Sequence, residues 1–187
     1  MTVFFTSDTH FGHSNIIEYS NRPFKNIEEH DEGLIEKWNK SVGRGDLVYH
    51  LGDFALSAPK HAKNILRRLN GQIHFIYGNH DKRLKKDKEF LGMFAWHGDY
   101  KEVTAPPSKR KLILFHFPIE SWNKRHYGAY HLHGHCHGSL PSAEYQCRVD
   151  VGVDVWNYAP VPYEEIKKHM EKKIFQPIDH HGQGHQR

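Results

Sequence analysis

Residues 73–81 read Ile-His-Phe-Ile-Tyr-Gly-Asn-His-Asp, an apolar run that ends in a glycine followed by three polar side chains. A run rich in Ile, Phe and Tyr is typical of a buried β-strand. Because glycine has no Cβ, it lets the backbone turn sharply after the strand or approach a bound group closely. The stretch therefore predicts a strand that carries Asn79, His80 and Asp81 to one edge of a sheet.

Four other blocks have the same form, with polar side chains directly after an apolar run. They are Asp8-Thr9-His10 after residues 3–6, Gly52-Asp53 after 47–51, His116 after 112–115, and Gly134-His135-Cys136-His137 after 130–133. Open α/β sheets place their ligand sites beyond the carboxyl ends of the strands. The blocks supply carboxylate, amide and imidazole donors, a mixed set that suits a pair of transition-metal ions.

The spacing within two blocks predicts where their side chains point. Residues two apart in a strand face the same side, so Asp8 and His10 are expected to converge on one ion. His135 and His137 repeat this spacing. Cys136, which lies between them, is expected to point away from the metals as a small buried apolar side chain.

Each block taken alone also fits an ordinary structural role. Asp-x-His occurs at strand ends and helix caps, and Gly-Asp and Gly-Asn-His-Asp are common turn sequences. A single histidine such as His116 is commonly a hydrogen-bonded core residue. The occurrence of five such blocks at five predicted strand ends favours the metal-site interpretation.

The remaining pattern predicts an α/β fold of two sheets packed face to face with helices outside. Further strands are predicted at 100–104 and 148–153, with a proline-containing hairpin turn at 106–108 between 100–104 and 110–115. Helices are predicted at 27–42 with Asn26 as its cap and Glu29 at the third position, from Pro59 to Gly71, and at 163–175.

Length and composition limit the class of protein. The 187 residues fit one domain, predicted at 1–178, before a polar tail at 179–187 that contains His180, His181 and His185 and is expected to be disordered. Two cysteines predict reduced thiols rather than a disulfide framework. Seven residues before Asp8 are too few for a signal peptide, and no stretch reaches the roughly 20 apolar residues of a membrane span. We therefore expect a cytoplasmic protein without membrane contact.

In order and type, the five blocks resemble the motifs of the calcineurin-like metallophosphoesterases: Asp-x-His, Gly-Asp, Gly-Asn-His-Asp/Glu, His and Gly-His-x-His. The resemblance runs from Asp8 to His137, and the surrounding sequence is similar to small bacterial and phage members. It implies a four-layer αββα sandwich, in which two mixed β-sheets are flanked by helices. It also implies hydrolysis of a phosphoester bond by attack of a metal-bound hydroxide.

The resemblance implies a role for each matching residue. Asp8, His10 and His137 would hold a first divalent ion, Asn79, His116 and His135 a second, and Asp53 would bridge the two. Mn²⁺ is the first expectation, and Fe, Zn and Co accept the same ligands. His80 corresponds to the catalytic histidine, a general acid for the leaving group, and Asp81 would orient its ring. The chain departs from phosphatases with Gly-Asp-x-x-Asp-Arg, since Phe54-Ala55-Leu56 follows the bridging aspartate.

Substrate contacts are predicted near the first and third blocks. His13 and Asn15 follow the first block closely enough to reach a phosphate, and the arginine side chain of Arg22 could bind one with two hydrogen bonds. Asn79 of the third block is a further expected substrate contact. A cap for Asn15 and a surface charge for Arg22 are the structural alternatives. The segment 117–130 fits either a loop that stacks on a base or a hydrophobic lid. The basic run 82–88 fits either a binding surface for a polyanion or a solvated helix face. Asp150 and Asp154 are left outside the site.

The preferred prediction is a dinuclear phosphoesterase that acts on a phosphodiester or nucleotide, with nucleic acid among the candidate substrates. Three alternatives remain open: a phosphomonoesterase, a hydrolase with a single zinc ion, and a nucleic-acid-binding module whose metal site is structural or vestigial. Seven candidate ligands exceed what one four- or five-coordinate ion can use, which favours two ions.

Overall fold

The computed structural model describes residues 1–106, 108–141 and 146–174. Its strands are β1 (Val3–Thr6), β2 (Leu47–His50), β3 (Gln72–Ile76), β4 (Trp96–Gly98), β5 (Tyr100–Ala105), β6 (Arg110–Phe115), β7 (Tyr130–His133), β8 (Arg148–Asp150) and β9 (Val161–Pro162). Its helices are α1 (Asn15–Tyr19), α2 (Ile27–Ser41), α3 (Pro59–Leu66), α4 (Lys88–Leu91) and α5 (Tyr163–Met170), with short 3₁₀ helices at Leu84–Lys86 and Arg125–Tyr127.

The first sheet has the strand order β4-β3-β2-β1-β9. Its first four strands are parallel, whereas β9 runs antiparallel to β1. The helices α2 and α3 lie in the connections between successive parallel strands, as crossovers require. This arrangement brings the carboxyl ends of β1, β2 and β3 to the same edge of the sheet.

The second sheet has the order β5-β6-β7-β8 and is also mixed. β5 and β6 form the predicted antiparallel hairpin, in which Thr104 lies opposite Lys111, and β6, β7 and β8 are parallel. The predicted turn includes Pro107, which lies outside the described residues. The carboxyl ends of β6 and β7 carry the fourth and fifth blocks.

Two hydrophobic clusters hold the layers together. One lies between the first sheet and its helices and includes Leu34 and Trp38 of α2, Ile65 of α3, and Val48 and Phe75 of the sheet. The other packs inward-facing residues of the two sheets against each other; among its members are Phe5, Tyr49, Ile76, Leu114 and Leu132. The helix α5 contacts β1 of the first sheet and β8 of the second. The predicted fold class, two mixed sheets flanked by helices, is confirmed.

Several predicted elements differ from the observed ones. The helix predicted from Pro59 to Gly71 ends at Leu66. The predicted strand 148–153 ends at Asp150, because Gly152 forms a bridge with Ser7 and takes the chain across to the first sheet. The predicted helix 163–175 ends at Met170, and residue 175 lies outside the described residues. Residues 88–98, which the sequence left without an element, contain α4 and β4.

The predictions for the cysteines, for membrane-spanning helices and for the C-terminal tail can be compared with the structure in turn. Both Cys136 and Cys147 are free thiols, but Cys136 is half-buried rather than buried. Within the three described ranges, no helix is both long and apolar enough to cross a membrane. The tail at 179–187 lies outside those ranges.

Candidate metal centre

Backbone hydrogen bonds join the first two blocks directly beyond β1 and β2. The N–H of Asp8 donates to the carbonyl of Gly52 over 2.9 Å, and that of His10 donates to the carbonyl of Asp53 over 3.0 Å. Gly78 permits the third block to approach them, since a Cβ at this position would collide with the carboxylate of Asp53. The parallel pairing of β1, β2 and β3 therefore continues into the loops and aligns the three blocks.

The candidate ligands have an unusual backbone conformation. Five of them have positive φ angles between 48° and 72°: Asp8, His10, Asp53, His135 and His137. Non-glycine residues adopt this left-handed region infrequently, and such positions concentrate at functional sites. Strand alternation was the wrong reason for expecting Asp8 and His10 to point the same way. β1 ends at Thr6 and β7 at His133, so the first and fifth blocks lie in loops beyond the strands.

Asp8, His10 and His137 form the first cluster, with one ligand atom of each within 4.8 Å of the others. His137 Nε2 lies 4.0 Å from Asp8 Oδ1. The Asp8 carboxylate is fixed by Ser7, whose hydroxyl donates to Oδ2 over 2.6 Å, and by the backbone N–H of His135. The cluster thus joins residues from the ends of both sheets.

Asp53, His116 and His135 form the second cluster, again within 4.8 Å. Asn79 belongs with it, because its Oδ1 lies 3.0 Å from both His116 Nε2 and His135 Nδ1. The ring of His116 is oriented by a hydrogen bond from Nδ1 to the carbonyl of Leu51, 2.7 Å long. His135 and His137 therefore lie in different clusters, which is the division that the family resemblance implies and not the shared ion that their spacing alone suggested.

The Asp53 carboxylate belongs to the second cluster and also faces the first. Its Oδ2 is 3.7 Å from His10 Nε2 and 3.4 Å from His116 Nε2. Its Oδ1 accepts a hydrogen bond of 2.8 Å from the backbone N–H of His80. This position is suited to a carboxylate that is shared between two cations.

The buried charges shift one another's pKa values. Burial raises the pKa of Asp8 to about 7, although His116 and His137 oppose the shift. Burial alone would lower the pKa of His116, but its hydrogen bond to Asp53 and the charges of Asp8 and Asp53 raise it to about 9. Burial likewise acts to raise the pKa of Asp53, and His116 outweighs it and lowers that pKa to about 2.

His10 tests whether the donor set fits a metal ion. Its ring is 2% exposed, and neither nitrogen has a hydrogen-bond partner in the described part of the chain. Burial lowers the pKa of His10 well below its usual value, so the ring is neutral. A buried polar group without a partner costs about 1–3 kcal/mol, and a neutral imidazole is a common metal ligand. The residues therefore fit divalent ions at this place.

Arg22 does not reach into the site, contrary to the predicted phosphate contact. It is 4% exposed, and Nε and Nη2 each donate to the Asp154 carboxylate over 2.8 Å. Nη2 also donates to the carbonyl of Asp8 and Nη1 to that of Thr9. All three guanidinium nitrogens thus donate to groups within the protein, so Arg22 has no pair of free N–H donors to offer a phosphate.

Asp81 was expected to orient the ring of His80, but its carboxylate binds backbone groups instead. It is fully buried, and its oxygens accept hydrogen bonds from the backbone N–H groups of Asp53, Phe54 and Gly78, over 2.7–3.0 Å. Burial raises its pKa to about 6. Asp81 therefore holds the second and third blocks together.

Three other predicted site residues lie on the open side or at the margin of the centre. His80 is exposed, and its ring centroid is 5.4 Å from that of His10. His13 is half-buried, 5.4 Å from His10 by ring centroids, with an Nδ1 that lacks a hydrogen-bond partner within the described ranges. Asn15 is exposed and is the first residue of α1, where its amide lies 3.5 Å from the hydroxyl of Tyr19. The N-cap position, which was the structural alternative for Asn15, is occupied by Ser14.

Asp154 is the functional candidate that sequence reasoning left out. Its Oδ2 accepts a hydrogen bond of 2.7 Å from His137 Nδ1, while Arg22 binds the same carboxylate. The available signal was an aspartate in a strand-like segment shortly after the fifth block. That signal is weak, because Asp150 has the same context and instead binds the N–H groups of Gly138 and Gly152.

The segments 117–130 and 82–88, each of which the sequence left with two interpretations, have defined contacts in the structure. In 117–130, Trp122 is 8% exposed and donates from Nε1 to the carbonyl of Ala129, so this part packs on the core as a lid would. Phe117 is 36% exposed, and its ring lies 4.8 Å from that of His135. In 82–88, Leu84 is buried, whereas Lys85 pairs with Asp99 over 2.9 Å at the surface.

Comparison with known proteins agrees with this geometry. Residues 1–155 match the calcineurin-like phosphoesterase superfamily domain. The chain is 38% identical over 186 residues to the uncharacterized protein MJ1445 of Methanocaldococcus jannaschii, with 95% of this chain and 96% of the relative covered. It is 29% identical over 191 residues to the Gene 66 protein of Mycobacterium phage D29, with 89% of this chain and 94% of the relative covered.

A solved structure shares the fold. The crystal structure of AQ665, a protein of unknown function from Aquifex aeolicus, superposes with a TM-score of 0.68 at 24% sequence identity, covering 90% of this chain and 98% of that one. The protein described here belongs to the calcineurin-like phosphoesterase superfamily, as the resemblance of its five blocks had implied.

Proposed function

We propose that this protein is a dinuclear metal-dependent phosphoesterase that hydrolyses a phosphodiester or nucleotide. The position of Asp53 carries the proposal, since its carboxylate lies within 3.7 Å of a histidine nitrogen in each ligand cluster. The unpaired ring nitrogens of His10 support the same conclusion. Asp8, His10 and His137 would hold one ion, Asn79, His116 and His135 the other, and Asp53 both.

The ions, when bound, supply Lewis-acid chemistry that acidifies water and neutralises phosphoryl oxygens. Two divalent cations and the carboxylates of Asp8 and Asp53 leave a formal charge of about +2, which attracts a phosphate. Mn²⁺ is the preferred candidate, and Fe, Zn and Co accept the same donors. The free thiols of Cys136 and Cys147 favour a reducing compartment such as the cytoplasm.

His80 is the residue proposed to move a proton. Its backbone N–H is held by Asp53, and its exposed ring stands beside His10 at the open side of the centre. From there it would donate a proton to the departing oxygen. His13, half-buried with its ring 5.4 Å from that of His10 by centroids, would contact the phosphoryl group. Asn79 and the exposed Asn15 would complete the substrate contacts.

Phe117 supports a substrate with a planar group. Its exposed ring packs against the ligand histidines, 4.9 Å from His116 and 4.8 Å from His135 by centroids. A nucleobase attached to the reacting phosphate could stack on such a ring. A nucleotide or a nucleic-acid end is therefore preferred to a protein phosphoserine as substrate.

The test is hydrolysis of bis-p-nitrophenyl phosphate and p-nitrophenyl phosphate with Mn²⁺, for wild type, Asp53→Asn and the surface control Asp99→Asn. We expect the wild type and the control to cleave the diester faster than the monoester. Asp53→Asn should lose most of this rate, because a neutral amide replaces the carboxylate that would hold both ions. A faster monoester reaction would indicate a phosphomonoesterase.

Two further measurements separate the remaining alternatives. Elemental analysis of the loaded protein distinguishes two ions from a single zinc ion. Absence of turnover with Mn, Fe, Zn and Co, together with tight binding of single-stranded nucleic acid, would support a binding module instead. A screen of mononucleotides, cyclic nucleotides and short single strands then identifies the substrate class.

A further inference from the structure

A continuous series of buried hydrogen bonds begins at His137 and leads away from the metal centre. His137 Nδ1 donates to Asp154 Oδ2 over 2.7 Å. Because the carboxylate can only accept, Nδ1 carries a hydrogen, and Nε2 is the nitrogen that faces Asp8. Arg22 holds the same carboxylate with two bonds of 2.8 Å, and this ion pair has side-chain exposures of 0% and 7%.

The series continues from Arg22 into α2. Arg22 Nη1 lies 2.8 Å from His30 Nε2, which must accept since a guanidinium only donates. His30 Nδ1 then donates to Asp31 Oδ1 over 2.9 Å. His30 is fully buried, so its ring has one orientation and one tautomer in this arrangement.

Asp31 connects the series of hydrogen bonds to the loop that contains Asp8 and His10. Both its oxygens accept from the backbone N–H of Gly12 over 3.1 Å, two residues after His10, and Oδ2 also contacts the half-exposed His61 at 3.0 Å. Arg22 meanwhile binds the carbonyls of Asp8 and Thr9. The buried series therefore holds the backbone around Asp8 and His10 as well as the ring of His137.

We propose that Asp154, supported by Arg22, His30 and Asp31, is a positioning residue that selectively sets the affinity of the first metal site. This inference rests on the proposed dinuclear function. Asp154 fixes the tautomer and the direction of His137, and carboxylate partners of ligand histidines typically change metal affinity about 10–100-fold when mutated.

The selectivity follows from how the second cluster is held. His116 is oriented by the carbonyl of Leu51, a neutral backbone group of another strand end. His135 Nδ1 faces Asn79. Neither contact involves Asp154 or Arg22, so loss of the Asp154 carboxylate leaves the second site intact.

The experiment is a titration of metal-free protein with Mn²⁺, in which the free ion is followed by electron paramagnetic resonance. We expect two binding constants for the wild type. In Asp154→Asn one constant should weaken about 10–100-fold while the other is unchanged. The matched control is Asp99→Asn, the same change at an exposed carboxylate that pairs with Lys85, and it should keep both constants.

A second variant separates positioning from stability, because Asp154→Asn leaves a buried arginine without its partner. The comparison variant Ile65→Ala is destabilised by a cavity in the core of α3, but it keeps every contact of Asp154 and Arg22. We expect its melting temperature to fall while both binding constants stay at the wild-type values. If Ile65→Ala weakens the same constant as Asp154→Asn, the effect follows stability, the series has only a structural role and the inference is overturned.

The outcomes distinguish this inference from the proposed function. Fewer than two ions bound to the wild type would overturn both. Two wild-type ions with both constants retained in Asp154→Asn, or with both weakened equally, would overturn the positioning role alone.

Discussion

At the residue scale, Asp81 shows how one buried carboxylate organises a site it does not enter. Its oxygens accept three backbone hydrogen bonds, from Asp53, Phe54 and Gly78, at 0% exposure. These bonds fix the loops that end β2 and β3. The position of the Asp53 carboxylate therefore depends on Asp81.

Asp81→Asn should destabilise the metal-free protein by about 2–4 kcal/mol, since an amide presents a donor where backbone donors converge. Urea unfolding in the presence of a chelator measures this change. The control Asp99→Asn, at an exposed carboxylate paired with Lys85, should change stability by less than about 0.5 kcal/mol. Unchanged stability with a reduced reaction rate would instead support the original interpretation, in which Asp81 orients the ring of His80.

Under the proposed function, His80→Ala should retain both metal ions and lose about 10²–10⁴-fold in turnover, because the side chain would supply a proton but no ligand atom. The measurement is the rate on bis-p-nitrophenyl phosphate with the ion content determined in the same samples. His97→Ala, which removes an exposed histidine beside Tyr77, is the control. Full activity of His80→Ala would remove this residue from the mechanism.

At the element scale, α2 carries His30 and Asp31 on its buried side and packs Leu34 and Trp38 against the first sheet. Its first turn is capped by Asn26, whose Oδ1 accepts from the N–H of Glu29 over 2.8 Å. The Glu29 carboxylate accepts from the N–H of Lys25 over 3.2 Å, one residue before the position expected for a capping box. The helix start was thus predicted from local sequence, whereas its buried polar contacts depend on distant residues.

Asn26→Ala should cost about 1 kcal/mol of stability, because the N–H of Glu29 loses its acceptor. Chemical denaturation of the metal-free protein tests this value. The same substitution at the exposed Asn64 of α3 is the control, and it should be neutral or slightly stabilising since alanine favours helix interiors. Equal effects of the two variants would argue against the cap.

At the scale of the whole molecule, buried ionisable groups respond to pH in opposite directions. Burial lowers the pKa of His50 to about 3 and that of His131 to about 3, so both rings stay neutral in the folded protein. Burial raises the pKa of Asp8 to about 7 and that of Asp81 to about 6. As pH falls below 6.5, the histidines bind protons in the unfolded chain and destabilise the fold, while the carboxyls bind protons in the folded state and oppose this.

His50→Phe isolates one of these contributions. His50 stacks near Trp38 and meets the ring of Phe54, so phenylalanine fits this aromatic surrounding. The stability of the metal-free wild type relative to the variant should fall by about 1.4 kcal/mol per pH unit between pH 6.5 and 3. Urea unfolding of both proteins at several pH values measures this slope. Parallel pH curves would show that His50 is not neutral in the folded state.

The sequence by itself determined the five blocks, most of the strands that precede them, the hairpin, the helix starts and the family. These features depend on residues a few positions apart, so local patterns are sufficient to predict them. Tertiary structure alone decided that Arg22 pairs with Asp154 across 132 positions, that Asp154 binds the ring of His137, and that Asp81 binds backbone groups. These contacts depend on which loops the packed sheets bring together, and that is not visible in local sequence. Left-handed backbone conformations, not strand alternation, then set the direction of the ligand side chains.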